Sequence, residues 1–177
     1  MFFPVSEIVV ALVKRGSPTA KVDDRGSMRL LWLVITPCVV LAIAVSGYRA
    51  AGLPFSATIQ ELTAASLFLG GLVLRWVAIL TLGRFFTATI AIQEGQPVIT
   101  AGPYRYVRHP SYTGLLLAFL GLGMFFGNWL SLVVLMFPIT LAVHHRIRLE
   151  ESVLVSALGP AYSAYCARTK RLIPGVL

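Results

Sequence analysis

Apolar residues run along this chain in long blocks separated by polar gaps, and a block of about 20 residues is the length of a helix that crosses a bilayer. The clearest block is Met28 to Tyr48, 21 residues with Pro37 as a site for a kink. A second runs from about Leu62 to Leu82 and is interrupted by Arg75. A guanidinium is costly in hydrocarbon, so Arg75 should face the bundle, line a water-filled cavity or snorkel to an interface. Two shorter blocks, Thr113 to Phe126 and Trp129 to Val143, are separated by Gly127 and Asn128. That pair suits a tight turn that caps the next helix, so the two blocks form a helical hairpin. Each falls short of a full crossing, and polar ends or a locally thinned bilayer must make up the difference. Phe2 to Val13 is shorter still and contains Pro4 and Glu7, which predicts a partial or interfacial segment. It has no basic leading region and no small-residue cleavage site, so a cleaved signal peptide is not expected.

The polar gaps give the orientation. Lys14 to Arg29 carries three basic residues before Asp24 and two after it and reads as cytoplasmic. The connection Arg49 to Gln60 has one arginine and Pro54 and reads as external. Gly83 to Tyr112, with prolines at 97, 103 and 110, returns to the cytoplasmic side. Trp129 suits the outer aromatic belt, and the stretches HHRIRLEE and ARTKRLIP place the end of the chain inside.

Composition agrees with a lipid environment. Of 177 residues 57% are hydrophobic and 12% charged, with mean hydropathy +0.81, so an ordinary solvated surface is not available. The expected fold is an all-α integral membrane protein of about four to five transmembrane helices in one bundle. Its N-terminal membrane helices occupy residues 1–82, and a polar, cofactor-binding region with the 113–143 hairpin occupies 83–177. The net charge of +8 is confined to the gaps between apolar runs. That distribution suits anionic lipid headgroups and excludes a nucleic-acid stripe. Cys38 and Cys166 have no Cys or His at metal-ligand spacing, so neither a disulfide nor a zinc site is expected.

Two polar clusters sit at the cytoplasmic ends of the hairpin helices, where the fold brings them together. The first is Tyr104, Arg105, Tyr106, Arg108, His109 and Tyr112, bracketed by Pro103 and Pro110, which fix its backbone. The second is His144, His145, Arg146, Arg148, Glu150 and Glu151. Taken singly, these residues also fit interface anchors and a solvated helix face with an Arg146 to Glu150 pair at i, i+4. Adjacent carboxylates on a helix diverge by about 100 degrees, so one of Glu150 and Glu151 can bind a ligand while the other pairs with arginine. Gly114, Gly121 and Gly127 read as helix-packing positions, and the adjacent His144 and His145 do not form a metal site.

The sequence GPYRYVRHPSYTG, followed by RIRLEESVLVSALGPAYSAYCARTKRLIP, resembles the isoprenylcysteine carboxyl methyltransferase and phospholipid methyltransferase group of membrane enzymes over about Leu82 to Pro174. DDRGS at Asp23 to Ser27 looks like the loop before the first well-defined helix in bacterial members. The resemblance implies a pocket for S-adenosyl-L-methionine in the C-terminal half, with a lipophilic acceptor entering from the bilayer. It implies that His109, Pro110 and Tyr112, with Gly102, Pro103, Tyr104 and Arg108, line the cofactor, and that Glu150 or Glu151 holds its amino group. A bacterial-type inner membrane is expected, and the distribution of basic residues places the active site on its cytoplasmic side.

Chemistry adds one expectation. A carboxylate acceptor needs no general base but does need a cation to orient it, for which Arg146 is the first candidate and Arg75 and Arg168 the next. The acceptor's identity stays open among carboxylate, thiol and amine. Two other readings stand beside this one. One is an NADPH-dependent reductase of the sterol type, which shares an HP-Y-G element, and the other is a non-catalytic transporter or assembly protein. A transporter should carry ionisable residues near the midplane of several helices.

Overall fold

The computed structural model describes residues 21–22, 26–87 and 89–175. The predicted segment Phe2 to Val13 lies outside them. Helix α1 spans Ser27–Val45, α2 Ala57–Leu82, α3 Pro110–Phe125, α4 Trp129–Leu158 and α5 Pro160–Arg168. Helices α1, α2 and α4 are long and apolar enough to cross a membrane, and α3 is a shorter apolar helix of 16 residues. Leu33, Leu62, Leu69, Val73, Leu80 and Phe137 are exposed on the outside of the bundle. Such a surface is stable only against acyl chains.

The bundle is built from two pairs. Helix α3 packs most extensively on α2, and α4 on α1, with α3 also meeting α4. The α2–α3 contact is a backbone approach through small residues. A Cβ on Gly114 would sit 2.5 Å from the Gly71 carbonyl oxygen and 2.7 Å from the Arg75 nitrogen, and one on Gly121 would sit 2.6 Å from the Phe68 nitrogen. In lipid, where apolar side chains gain nothing by exchanging acyl chains for a neighbouring helix, this close approach is a main source of association. Gly114 and Gly121 are thus packing residues as expected. Leu31, Ile35, Leu115, Phe119, Leu135, Ile139, Val143 and Ile147 fill the centre between the pairs.

The end of the bundle away from the polar clusters is tied by Asn128. Its Oδ1 accepts from Leu130 N at 2.8 Å and Ser131 N at 3.2 Å, capping α4, while its Nδ2 donates to the Tyr48 carbonyl at 2.7 Å. Gly127, with φ 65°, makes the turn before it. The predicted capping turn of the hairpin is in place.

Element boundaries differ from the hydropathy blocks in two places. Helix α2 begins at Ala57 rather than near Leu62, because the Ser56 hydroxyl accepts from Ile59 N at 3.4 Å and the polar residues Gln60 and Glu61 continue the helix above the apolar run. Helix α4 does not stop at Val143 but runs unbroken to Leu158. Falling hydropathy marks where a span leaves the bilayer, not where a helix ends. The stretch HHRIRLEESVLVSAL has no glycine or proline to stop it, and Gly159, with φ 57°, followed by Pro160 finally does. At 1.5 Å per residue the 30-residue helix is about 45 Å long, so roughly its last ten residues project beyond a hydrocarbon core of about 30 Å.

The segment between α2 and α3 folds over that projecting end. It contains a two-residue strand β2, Ala91–Ile92, which pairs antiparallel with β1, Lys21–Val22, and a short 3-10 turn, Gly102–Arg105.

Candidate active site

The chain enters α1 and α3, and leaves α2, at one end of the bundle, and α4 projects from the same end. Ser27, Arg75, Ser111, Tyr112, Arg146 and Glu150 therefore converge although they are as much as 123 positions apart in sequence. All but Ser27 line a cavity of about 330 Å³, within the range of roughly 300–1,000 Å³ that organic ligands occupy. Ser27 stands behind the wall, bonded to Arg146.

The cavity has two chemically distinct parts. Its polar wall is Arg75, Tyr104, Arg108, His109, Tyr112, Arg146 and Glu150, with Tyr162 and Tyr165 from α5. Its apolar wall is Met28, Leu31, Trp32 and Ile35 of α1, with Leu82, Phe85, Phe86, Ile90, Leu115 and Leu154. The segment 85–99 supplies much of the cover. N-terminal helices thus contribute to a cavity that the resemblance assigned to the C-terminal half.

Cationic side chains inside are held by specific partners. Arg75, buried in α2, donates through Nη1 to Ser111 Oγ at 2.9 Å and to the Ser111 carbonyl at 3.2 Å, and it faces the cavity rather than lipid. Arg146 donates through Nε to the Tyr112 hydroxyl at 2.8 Å and through Nη1 to Ser27 Oγ at 2.7 Å. The Tyr112 hydroxyl donates in turn to Glu150 Oε2 at 2.8 Å. Arg146 and Glu150, one helical turn apart, are linked through Tyr112 of α3.

The two adjacent glutamates separate as the helix geometry requires. Glu150 is partly exposed and lines the cavity. Glu151 is buried and does not line it. Its Oε1 accepts from Arg108 Nε at 2.8 Å and lies 3.3 Å from His109 Nε2, and its Oε2 lies 2.8 Å from Arg171 Nη2 and accepts from Arg171 Nε at 2.9 Å. The hydrogen bond to Glu151 raises the Arg171 guanidinium above its ordinary value, so the ion pair persists at any physiological pH.

Arg171 belongs to a C-terminal strap laid along the first cluster. Arg108 N donates to the Lys170 carbonyl at 2.8 Å, His109 N to the Arg171 carbonyl at 3.0 Å, and Thr113 Oγ1 to the Leu172 carbonyl at 2.8 Å. Arg108 Nη1 also donates to the carbonyls of Cys166 and Thr169. Burial pushes the Tyr165 hydroxyl up to about 12, so it stays protonated and donates to the Tyr104 carbonyl at 2.6 Å.

Among the residues predicted for the site, Tyr104, Arg108, His109, Tyr112, Arg146 and Glu150 line the cavity. Gly102 and Pro103 start the 3-10 turn beside it, with Gly102 at φ 55° against Thr81, and Pro110 is the buried first residue of α3. His144, His145, Arg148 and Arg168 are exposed and outside the lining. Sequence reasoning missed Tyr162 and Tyr165, which stand three apart on one face of α5. That spacing in GPAYSAY was the available signal. It also missed Ser27, Ser111 and Arg171, for which local sequence carries no signal.

A helical bundle with a lipid-facing exterior and a part-polar, part-apolar cavity at one end defines an integral membrane protein with an amphipathic cavity. The family model of the isoprenylcysteine carboxyl methyltransferase (ICMT) family matches residues 64–156, more than half of the chain, and the chain belongs to that family. A protein-S-isoprenylcysteine O-methyltransferase of Schizosaccharomyces pombe is 31% identical over 68% of this chain and 52% of its own length. The Arabidopsis thaliana protein-S-isoprenylcysteine O-methyltransferase A is 29% identical over 99% of this chain and 89% of its own. This chain thus spans about half the length of the yeast relative and most of the plant one. The solved structure of a eukaryotic intramembrane Ras methyltransferase, ICMT, superposes with a TM-score of 0.65 at 24% identity, covering 80% of this chain and 53% of that one. The shared fold is that of this membrane family.

Proposed function

We propose that the chain is an S-adenosyl-L-methionine-dependent methyltransferase whose acceptor is a lipophilic, isoprenylated molecule drawn from the bilayer. The observation that carries the reading is the joining, in one cavity, of the Glu150 carboxylate and buried arginines to a long apolar wall. The donor set fits the cofactor. Glu150 would take its ammonium group, Arg75 or Arg108 its carboxylate, and the aromatic faces of Tyr104 and Tyr162 its adenosyl end. When bound, the cofactor supplies an electrophilic methyl group on sulfur.

The names of the relatives favour the carboxylate of an isoprenylated cysteine as the acceptor. Such a group is already a nucleophile when ionised, so the protein must orient it and exclude water. Arg146 is in place for this role: 3% exposed, on the cavity wall, and fixed at two nitrogens by Tyr112 and Ser27. The apolar wall of α1 suits the isoprenoid chain. The site end carries Arg84, Arg105, Arg148, Arg168 and Lys170, against Arg49 at the other end, which supports a cytoplasmic active site in an inner membrane of bacterial type.

Titration calorimetry of the detergent-purified protein against S-adenosyl-L-methionine tests the reading. Micromolar binding is expected, weakened at least tenfold in Glu150→Gln, because a hydrogen bond to a charged group contributes about 1.5–3 kcal/mol. Binding of NADPH in place of the methyl donor would overturn it.

A further inference from the structure

The strap of residues 169–172 lies outside both the matched family region and the cavity lining, yet it is bonded to the residues that line the cavity. Glu151 explains why. Its carboxylate is held by Arg108 and Arg171 and is therefore ionised, and an ionised carboxylate only accepts hydrogen bonds. Where His109 Nε2 meets Glu151 Oε1 at 3.3 Å, the nitrogen must be the donor. A proton on Nε2 is thereby required, and a neutral ring must be the Nε2–H tautomer. Its other nitrogen, Nδ1, lies 4.0 Å from Glu150 Oε1 at the cavity wall. In the neutral ring Nδ1 is a bare acceptor. A carboxylate oxygen and a neutral imidazole nitrogen at that separation form a seat for a ligand ammonium, which needs two or three acceptors.

We propose that Glu151 and Arg171 are positioning residues for this seat: Arg171 ties the strap to Glu151, and Glu151 sets the His109 tautomer that leaves Nδ1 a bare acceptor beside Glu150. The inference rests on the methyl-donor reading for the identity of the ammonium, but the tautomer stands without it. The charged or titratable groups in contact with the His109 ring are Glu150 and Glu151 of α4 and Tyr112 of α3, whose ring lies 5.8 Å away. Arg108 and Arg171 act through Glu151.

With three histidines in the chain, ¹⁵N NMR of histidine-labelled protein in detergent, assigned by His109→Gln, reads the tautomer directly. The expected wild-type signal is a single Nε2–H form for His109. In Glu151→Gln, whose amide can either donate or accept, a mixture of tautomers is expected, with S-adenosyl-L-methionine affinity down about tenfold. Arg171→Ala should produce the same two changes in milder form, and Arg171→Lys, which restores the charge, should recover most of them. Should Glu151→Gln prove unfolded by its thermal melt, the Arg171 pair decides alone. A His109 signal that is the Nδ1–H form or the doubly protonated ring in wild type, or that is unmoved by Glu151→Gln or Arg171→Ala, overturns the inference. So does unchanged methyl-donor affinity in the variants. If the wild-type protein binds no methyl donor but His109 shows the expected tautomer and its expected response, the activity reading fails and the positioning role stands.

Discussion

Arg146 shows how one residue can serve both structure and chemistry. It is buried at the cavity wall, donates to Tyr112 and Ser27, and through Tyr112 is joined to Glu150. A guanidinium in a site with little water exerts a strong local field, and its fork geometry suits a carboxylate. If it orients the acceptor, Arg146→Ala should lower the rate of methyl transfer by at least a hundredfold while weakening cofactor binding no more than a few-fold. Removal of a positioned electrostatic donor typically costs about 10²–10³ in rate. Equal losses in calorimetric affinity and in turnover would instead assign Arg146 to cofactor binding through Tyr112 and Glu150. The residue types of this site were legible in the sequence, because RHP, the tyrosines and the paired glutamates crowd into two short stretches. The division of labour between Glu150 and Glu151 was not, since both orientations about a helix axis are equally available until Arg108 and Arg171 are placed.

Helix α3 is the element on which the site depends most. It carries Pro110, Ser111 and Tyr112 at its first turn and buries Gly114, Ala118 and Gly121 farther along against α2. Because a Cβ on Gly114 would meet the backbone of Gly71 and Arg75, a side chain there has no flexible neighbour to displace. Gly114→Val should therefore push α2 and α3 apart, with a loss of about 1–3 kcal/mol or more in stability. A melting temperature in detergent lowered by several degrees, together with weakened cofactor binding through displaced Arg75, is the expected result. Gly70, one position from Gly71 on α2, has nothing within reach of an added Cβ, so Gly70→Ala is the control and should leave the melt unchanged or slightly raised.

For the whole molecule, the two ends of the bundle differ in charge and in purpose. One end is closed by Asn128 and Tyr48, while the other holds the cavity and most of the exposed arginines. If the site faces the cytoplasm, a cysteine placed at Lys170 in a Cys38→Ser, Cys166→Ala background should resist a membrane-impermeant maleimide in intact bacterial spheroplasts and react once they are lysed. A cysteine at Tyr48, exposed at the opposite end, should react in both. The reverse pattern would place the cavity outside.

Hydropathy by itself determined that this chain lives in lipid and at which end of the bundle its polar residues gather, because the bilayer imposes a length and a polarity that are written locally. The Gly127–Asn128 turn was equally local. Tertiary structure alone decided that α1 walls the cavity and that Ser27 bonds Arg146 across 119 positions. It also decided that a strap after α5 reaches back to Glu151. Such contacts depend on which helix faces pack together and on where the chain returns after leaving the membrane, and no window of neighbouring residues carries that information.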